Sequence, residues 1–331
     1  MPPQAPTVAL LTGARMPVVG LGTWRTDNAV LQPAIEHALR NGWRHLDCAQ
    51  MYANEHIVGA AIAAAGVPRG ELFLTSKLMP TCMHADIALA ALDRTLAELQ
   101  TPYVDLYVLH WPFRYVPKPS AFPVPPAERL GYDADAVLAV WRVLEAAVDA
   151  GKIKALGVSN FSVTKLAALL PHARHKPCVN QIEGHPALQQ PRLLAWHAAR
   201  GIVVTTYCPL GSPARPETFV RVGDPELLRS PVVAAVAARA GRSPAQVLLR
   251  WAVQRGTCPL PKSVTPARLD ENLAVFDFEL SAEDMAAIAG LDLHHRFSRG
   301  YGYAPAGEAA SLASIWDEDE RGEPEGAGET A

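Results

Sequence analysis

The feature that most constrains this chain is a repeated alternation. Short apolar or β-branched runs at residues 18–21, 45–48, 72–76, 104–109, 155–158, 179–182, 203–206 and 258–260 are separated by stretches of helical periodicity. Leu89, Leu92, Leu96 and Leu99 fall on one helical face, as do Val137, Trp141, Leu144 and Val148. Gly42, Gly66, Gly151 and Gly201 punctuate helix ends. Ser243-Pro244-Ala245-Gln246 reads as a capping box with proline at the first helical position. Eight β-then-α units require a parallel sheet, because strands running the same way need a crossover between them.

Two architectures meet that requirement. An open doubly wound sheet that binds a dinucleotide carries three glycines after its first strand. Gly20-Leu21-Gly22-Thr23-Trp24-Arg25 lacks the third. The expected fold class is therefore α/β, a (β/α)8 TIM barrel preceded by a hairpin-like N-terminal segment. At 331 residues, 49% of them apolar, the chain can fill such a barrel as one domain. Residues 1–316 are expected to form it, with residues 317–331 an acidic, disordered tail.

Three segments break the rhythm: the Pro-rich residues 111–135 after the fourth strand, residues 207–231 after the seventh, and the tail from Leu293. Loops at the C-terminal strand ends carry function in barrels, so these long loops and the C-terminal tail are expected pocket walls. A net charge of -3 without a long basic run gives no footprint for nucleic acid or anionic lipid. No apolar run reaches the length of a membrane span. The five cysteines are widely spaced and show no metal-ligand pattern, so no metal is expected. With no leader-like N-terminal pattern, the chain reads as cytoplasmic.

Polar residues follow the apolar runs directly: Asp47, Lys77, His110, Ser159 with Asn160, Gln181, Tyr207, and Lys262 with Ser263. Singly, each has an ordinary role open to it, as a turn cap, a snorkelling lysine or a core histidine. Together they converge on one rim of a barrel, which is where barrel enzymes place their chemistry.

The motifs around these residues resemble the aldo-keto reductases, of the aldose/aldehyde reductase type. Residues 42–55 (GWRHLDCAQMYANE), 75–78 (TSKL), 109–112 (LHWP), 157–161 (GVSNF), Asn180-Gln181, 207–212 (YCPLGS) and 261–266 (PKSVTP) occur in the family's order. The likeness runs from about Met16 to Leu291 and leaves the tail outside. It implies NADPH-dependent reduction of aldehydes or ketones to alcohols, that is, an alcohol dehydrogenase (NADP+), with NADPH/NADP+ as cofactor. A small-molecule carbonyl substrate and a monomer are also implied.

By that resemblance Asp47, Tyr52, Lys77 and His110 are a catalytic tetrad. Tyr52 would be the general acid, and Lys77 would lower its pKa by roughly 1–3 units. Asp47 would hold Lys77 charged, and His110 would donate to the carbonyl oxygen. Ser159, Asn160 and Gln181 would meet the nicotinamide carboxamide and Tyr207 its ring. Thr23, Trp24, Asp47, Cys208, Leu210, Ser212, Val264 and Thr265 would also meet the cofactor. Lys262, Ser263 and Arg268 would clamp an adenosine 2′-phosphate, with Glu271 and Asn272 near the adenine. Substrate would meet Trp24, Tyr52, Met79, His110 and Trp111, with Phe113 and Phe122 as further aromatic lining.

Met79 and Cys208 depart from the tryptophan and serine of many members; Met79 softens a pocket wall. Cys82 is a candidate oxidant sensor, though a plain thiol is the simpler reading. The rival function is a nicotinamide-binding regulatory subunit with little turnover, against which the complete tetrad argues. Reduction of an enone C=C bond would call for Glu in place of His110.

Overall fold

The computed structural model describes residues 5–307 and 311–317. The acidic tail expected at 317–331 lies outside these residues, apart from Asp317.

Eight strands pair in one parallel sheet: β1 (Leu21–Gly22), β2 (His45–Asp47), β3 (Phe73–Leu78), β4 (Leu106–Leu109), β5 (Leu156–Ser159), β6 (Val179–Glu183), β7 (Val203–Tyr207) and β8 (Cys258–Pro259). They neighbour one another in chain order. The ring closes where the Gly20 and Gly22 amides donate to the carbonyls of Pro259 (3.2 Å) and Pro261 (2.9 Å). This is a (β/α)8 barrel. Most strand residues are buried, as strands covered on both faces must be.

The barrel interior is plugged at its N-terminal end by a hairpin, Thr7–Ala9 against Arg15–Pro17. Leu10 and Met16 join Phe73, Leu106, Val108, Val179 and Cys258 in that inner cluster. The first apolar run therefore does two jobs. Its expected strand at 18–21 is confined to Leu21–Gly22, and the chain bends at Val18 and Val19 between hairpin and barrel. Gly20 sits at the bend because a Cβ there would lie 2.6 Å from the His45 ring.

The helices form the outer layer. α1 (Asn28–Arg40), α2 (Glu55–Ala65), α3 (Ala88–Glu98), α4 (Ala134–Asp149), α5 (Val163–Leu169) and α6 (Pro191–Ala198) follow β1 to β6 in turn. Both α7 (Pro231–Ala240) and α8 (Pro244–Gln254) lie between β7 and β8; α9 (Pro266–Leu273) and α10 (Ala282–Ala289) follow β8. The Ser243–Gln246 capping box opens α8 with both reciprocal bonds made, and Gly66 ends α2 in the left-handed region. Of the predicted face of α3, Leu92, Leu96 and Leu99 are buried and one residue departs. Leu89 is 41% exposed, and Ala88, Ala91 and Thr95 complete the buried side of α3.

Residues 111–135 fold into an antiparallel ribbon, Phe113–Tyr115 against Arg129–Tyr132. After α10 the described residues return to this ribbon and include the short helix α11 (Leu312–Trp316). Trp111, Phe113, Tyr115, Val124, Tyr303, Ile315 and Trp316 form a separate apolar cluster at the mouth of the barrel.

Candidate active site

Side-chain alternation along β2 and β3 sets the centre. His45 and Asp47 point inward, as do Thr75 and Lys77 of the neighbouring strand, so they meet in successive layers. His45 Nε2 lies 3.0 Å from Thr75 Oγ1. One layer above, Lys77 Nζ donates to Asp47 Oδ2 at 2.7 Å, to the Cys48 carbonyl at 2.8 Å and to Tyr52 Oη at 3.2 Å. An ammonium has three donors, and all three are used. Because Tyr52 Oη accepts from Lys77, its own proton is directed away from the ion pair. Tyr52 lies on the 3-10 turn Gln50–Tyr52 that follows β2, and its ring meets the edge of His110 at 5.7 Å.

Burial governs the protonation of these groups. Tyr52 is pushed up to about 12; burial raises it and the Lys77 charge only partly offsets that. The net lowering expected from the sequence is thus overturned: Tyr52 is held as the phenol. Burial also works against the Lys77 ammonium, but Asp47 and Tyr52 outweigh it and hold its pKa above the usual lysine range. His110 is depressed well below its ordinary value, first by burial and then by Lys77, so its ring is neutral. Its buried Nδ1 has no hydrogen-bond partner among the described residues.

A polar network runs from this centre around the rim. Gln181 Nε2 donates to Asp47 Oδ1 at 2.8 Å. Ser159 Oγ donates to the Gln181 carbonyl at 2.9 Å, and Asn160 Nδ2 donates to the His110 carbonyl at 2.9 Å. Tyr207 Oη donates to Asn160 Oδ1 at 2.8 Å. Asn160 itself is left-handed (φ 63), a strained conformation for a residue with a side chain. Arg25, Ala53, Cys208 and Ser212 share that region of backbone space, each in a loop after a barrel strand. Thr23 Oγ1 donates to the Asp47 carbonyl at 3.0 Å.

Farther round, Lys262, Ser263 and Val264 lead from β8 into α9, whose N-cap Thr265 makes no side-chain capping bond. Arg268, on α9, and Lys262 are exposed, Glu271 is half-buried and Asn272 is buried. The Lys262 pKa is depressed by burial and by the charge of Arg25 across the closure seam. Among the described residues no carboxylate forms an ion pair with Arg25, Lys262 or Arg268. Neighbouring cations without a counter-anion, next to an uncapped helix start, are suited to phosphate. The sequence reading missed Arg25; its place next to Lys262 is visible only once the ring closes.

Of the expected pocket residues, Trp111 is buried, Met79 is half-buried and Trp24 is 41% exposed. Phe113 is buried within the ribbon cluster, whereas Phe122 is 62% exposed. Burial raises the Cys82 thiol above its ordinary value, which disfavours the reactive thiolate a sensor needs.

The Aldo/keto reductase family model matches residues 18–293. The chain belongs to that family. An aldo/keto reductase of Synechocystis sp. is 44% identical over 313 residues, covering 93% of this chain and 95% of its relative. Aldo-keto reductase family 1 member A1 of Bos taurus is 45% identical over 298 residues, covering 88% and 91%. Among solved structures, MGS-M4, an aldo-keto reductase enzyme from a Medee basin deep-sea metagenome library, matches with a TM-score of 0.77. It is 34% identical and covers 87% of this chain and 96% of its own. This aldo/keto reductase is an oxidoreductase, and carbonyl reduction is its family's general reaction. No described helix is long and apolar enough to cross a membrane. The tail beyond residue 293 lies outside the family match.

Proposed function

We propose that this aldo/keto reductase converts aldehydes and ketones to alcohols with NADPH, Tyr52 giving the proton. The observation that carries this reading is Lys77 Nζ, set between the Asp47 carboxylate at 2.7 Å and the Tyr52 hydroxyl at 3.2 Å. NADPH, when bound, would supply hydride for the carbonyl carbon. The polar set Ser159, Asn160, Gln181 and Tyr207 fits its nicotinamide end. The uncompensated cations Arg25, Lys262 and Arg268 fit its phosphates.

A carbonyl oxygen taking on alkoxide character needs donors and then a proton. Tyr52, with a pKa near 12, still holds its proton at neutral pH. The neutral His110 ring offers one N–H toward the same oxygen. As the proton leaves Tyr52, Lys77 stabilises the phenolate that remains. Asp47 keeps Lys77 charged and oriented, and is itself steadied by Gln181 on β6.

The test is NADPH oxidation by the purified protein with a reactive aromatic aldehyde, beside Tyr52→Phe. The variant should lose a factor of ~10²–10⁴ in rate and keep its cofactor affinity in a fluorescence titration. A wild type that binds NADPH but turns nothing over would replace the reductase reading with a nicotinamide-binding subunit.

A further inference from the structure

The described tail residues, 297–307 and 311–317, lie at the mouth of the barrel. Tyr303 stacks on Trp111 at 4.1 Å and on Tyr115 at 5.3 Å, and Trp316 meets Trp111 at 5.5 Å. Trp111 directly follows His110, so the position of this segment bears on the opening to Tyr52 and His110. Stacking fixes the segment's middle. Its far end is fixed by charge.

Lys165, in the first turn of α5, is only 3% exposed. Its ammonium donates to Asp317 Oδ2 at 2.6 Å and to the Ile315 carbonyl at 3.3 Å. It lies 5.6 Å from the Phe113 ring centroid and 5.3 Å from that of Tyr132, both on the ribbon. Ser162, the N-cap of α5, also donates to Asp317. The carboxylate thus joins the barrel's helical layer to the last described residue of the tail. A buried ammonium that loses its carboxylate is left uncompensated, so this contact strongly disfavours opening. Phe113 in turn lies 5.8 Å from Tyr303, so one continuous set of contacts runs from Lys165 to Trp111.

We propose that Lys165 and Asp317 are a latch: positioning residues that hold the tail closed over Trp111 and so set which carbonyl substrates reach the centre. This rests on the reductase reading for its substrate consequence, but not for the latch itself. Opening the latch removes the outer wall of the pocket. Bulky aldehydes that reach that wall lose binding, while small ones that touch only Tyr52 and His110 do not.

The test compares Asp317→Asn, Lys165→Met and the charge-keeping Lys165→Arg with wild type. Limited trypsin digestion reads cleavage after Arg296 and Arg299. Steady-state kinetics read a small and a bulky aromatic aldehyde. Asp317→Asn and Lys165→Met should be cut about tenfold faster, following the rise in open population. Their KM for the bulky aldehyde should rise about tenfold at unchanged kcat, with the small aldehyde unaffected. Lys165→Arg should stay close to wild type in both. Asp317→Asn alters a partly exposed site, so it decides the matter if Lys165→Met fails to fold. Unchanged cleavage overturns the latch. Faster cleavage with an unchanged bulky-to-small ratio, or an equal loss for both aldehydes, overturns its role in substrate choice. If wild type reduces no aldehyde, the reductase reading falls and trypsin alone decides the latch.

Discussion

The strand ends that hold Asp47 and Lys77 and the mouth formed by Trp111, Tyr303 and Trp316 face the same opening but are built differently. At the strand ends, backbone register fixes each side chain. Asp47 and Lys77 sit on adjacent strands, and hydrogen bonds within a buried layer leave them no second arrangement. At the mouth, segments from distant parts of the chain meet through ring stacking and one ion pair. The first construction gives fixed chemistry. The second can vary without disturbing it, so the roles proposed for the two regions, catalysis and substrate choice, fall to separable parts of the molecule.

The largest effect should come from the strand ends. Lys77→Met is expected to be at least as damaging as Tyr52→Phe, a loss of ~10²–10⁴. Its residual activity should also titrate differently. Lys77 now offsets part of the burial that lifts Tyr52 to about 12. Removing that charge raises Tyr52 further, so the pH profile of alcohol oxidation, which needs the phenolate, should move upward. A pH–rate profile of the variant that matches wild type would contradict the assigned role.

Next comes the barrel interior below the site. Burial holds His45 at about 4 against an ordinary 6.5. The unfolded chain then binds the extra proton between those values, so stability present above pH 6.5 is lost as pH falls toward 4. The full window is worth about 3 kcal/mol. His197, also near 4, acts in the same sense. Urea midpoints should fall between pH 7 and 5, and a flat series would contradict this account.

The cations after β8, Lys262 and Arg268, sharpen the comparison, since the role proposed for them bears on cofactor affinity and leaves the chemistry alone. NADPH should bind about a hundredfold more tightly than NADH, as two charge-assisted contacts imply even when discounted for exposure. Arg268→Ala should lose NADPH affinity and keep that for NADH in paired titrations at fixed salt. Equal wild-type affinities would overturn the assignment.

The smallest and most selective effect belongs to the mouth. Truncation after Arg296 removes Tyr303 and Trp316, and kcat/KM should change by about tenfold for bulky aldehydes and little for small ones. A uniform fall, or no change, would merge the two regions that the structure separates.

The same division explains what the sequence made legible. Asp47, Lys77, Gln181 and Asn160 were singled out because polar residues follow or end the apolar runs, and motif order did the rest; the structure brings them together at one rim. Leu89 was misread because a helical face is assigned by periodicity, while the neighbours that choose the buried face are elsewhere in the chain. The direction of the Tyr52 shift was also misread. A nearby ammonium can be inferred from sequence, but the depth of burial that outweighs it cannot. Lys165 and Asp317 carry no motif at all, and only the folded path of the tail brings them together.

The closure seam has a consequence for assembly. Arg25 and Lys262 come from opposite ends of the ring and become neighbours only after β8 docks on β1. The phosphate binding proposed at that pair would therefore report completion of the barrel, not of any part of it. A dinucleotide that binds there favours the closed ring over every incomplete one by mass action. In a refolding experiment its binding signal should trail the formation of helical structure, because the contact it needs is among the most distant in the chain.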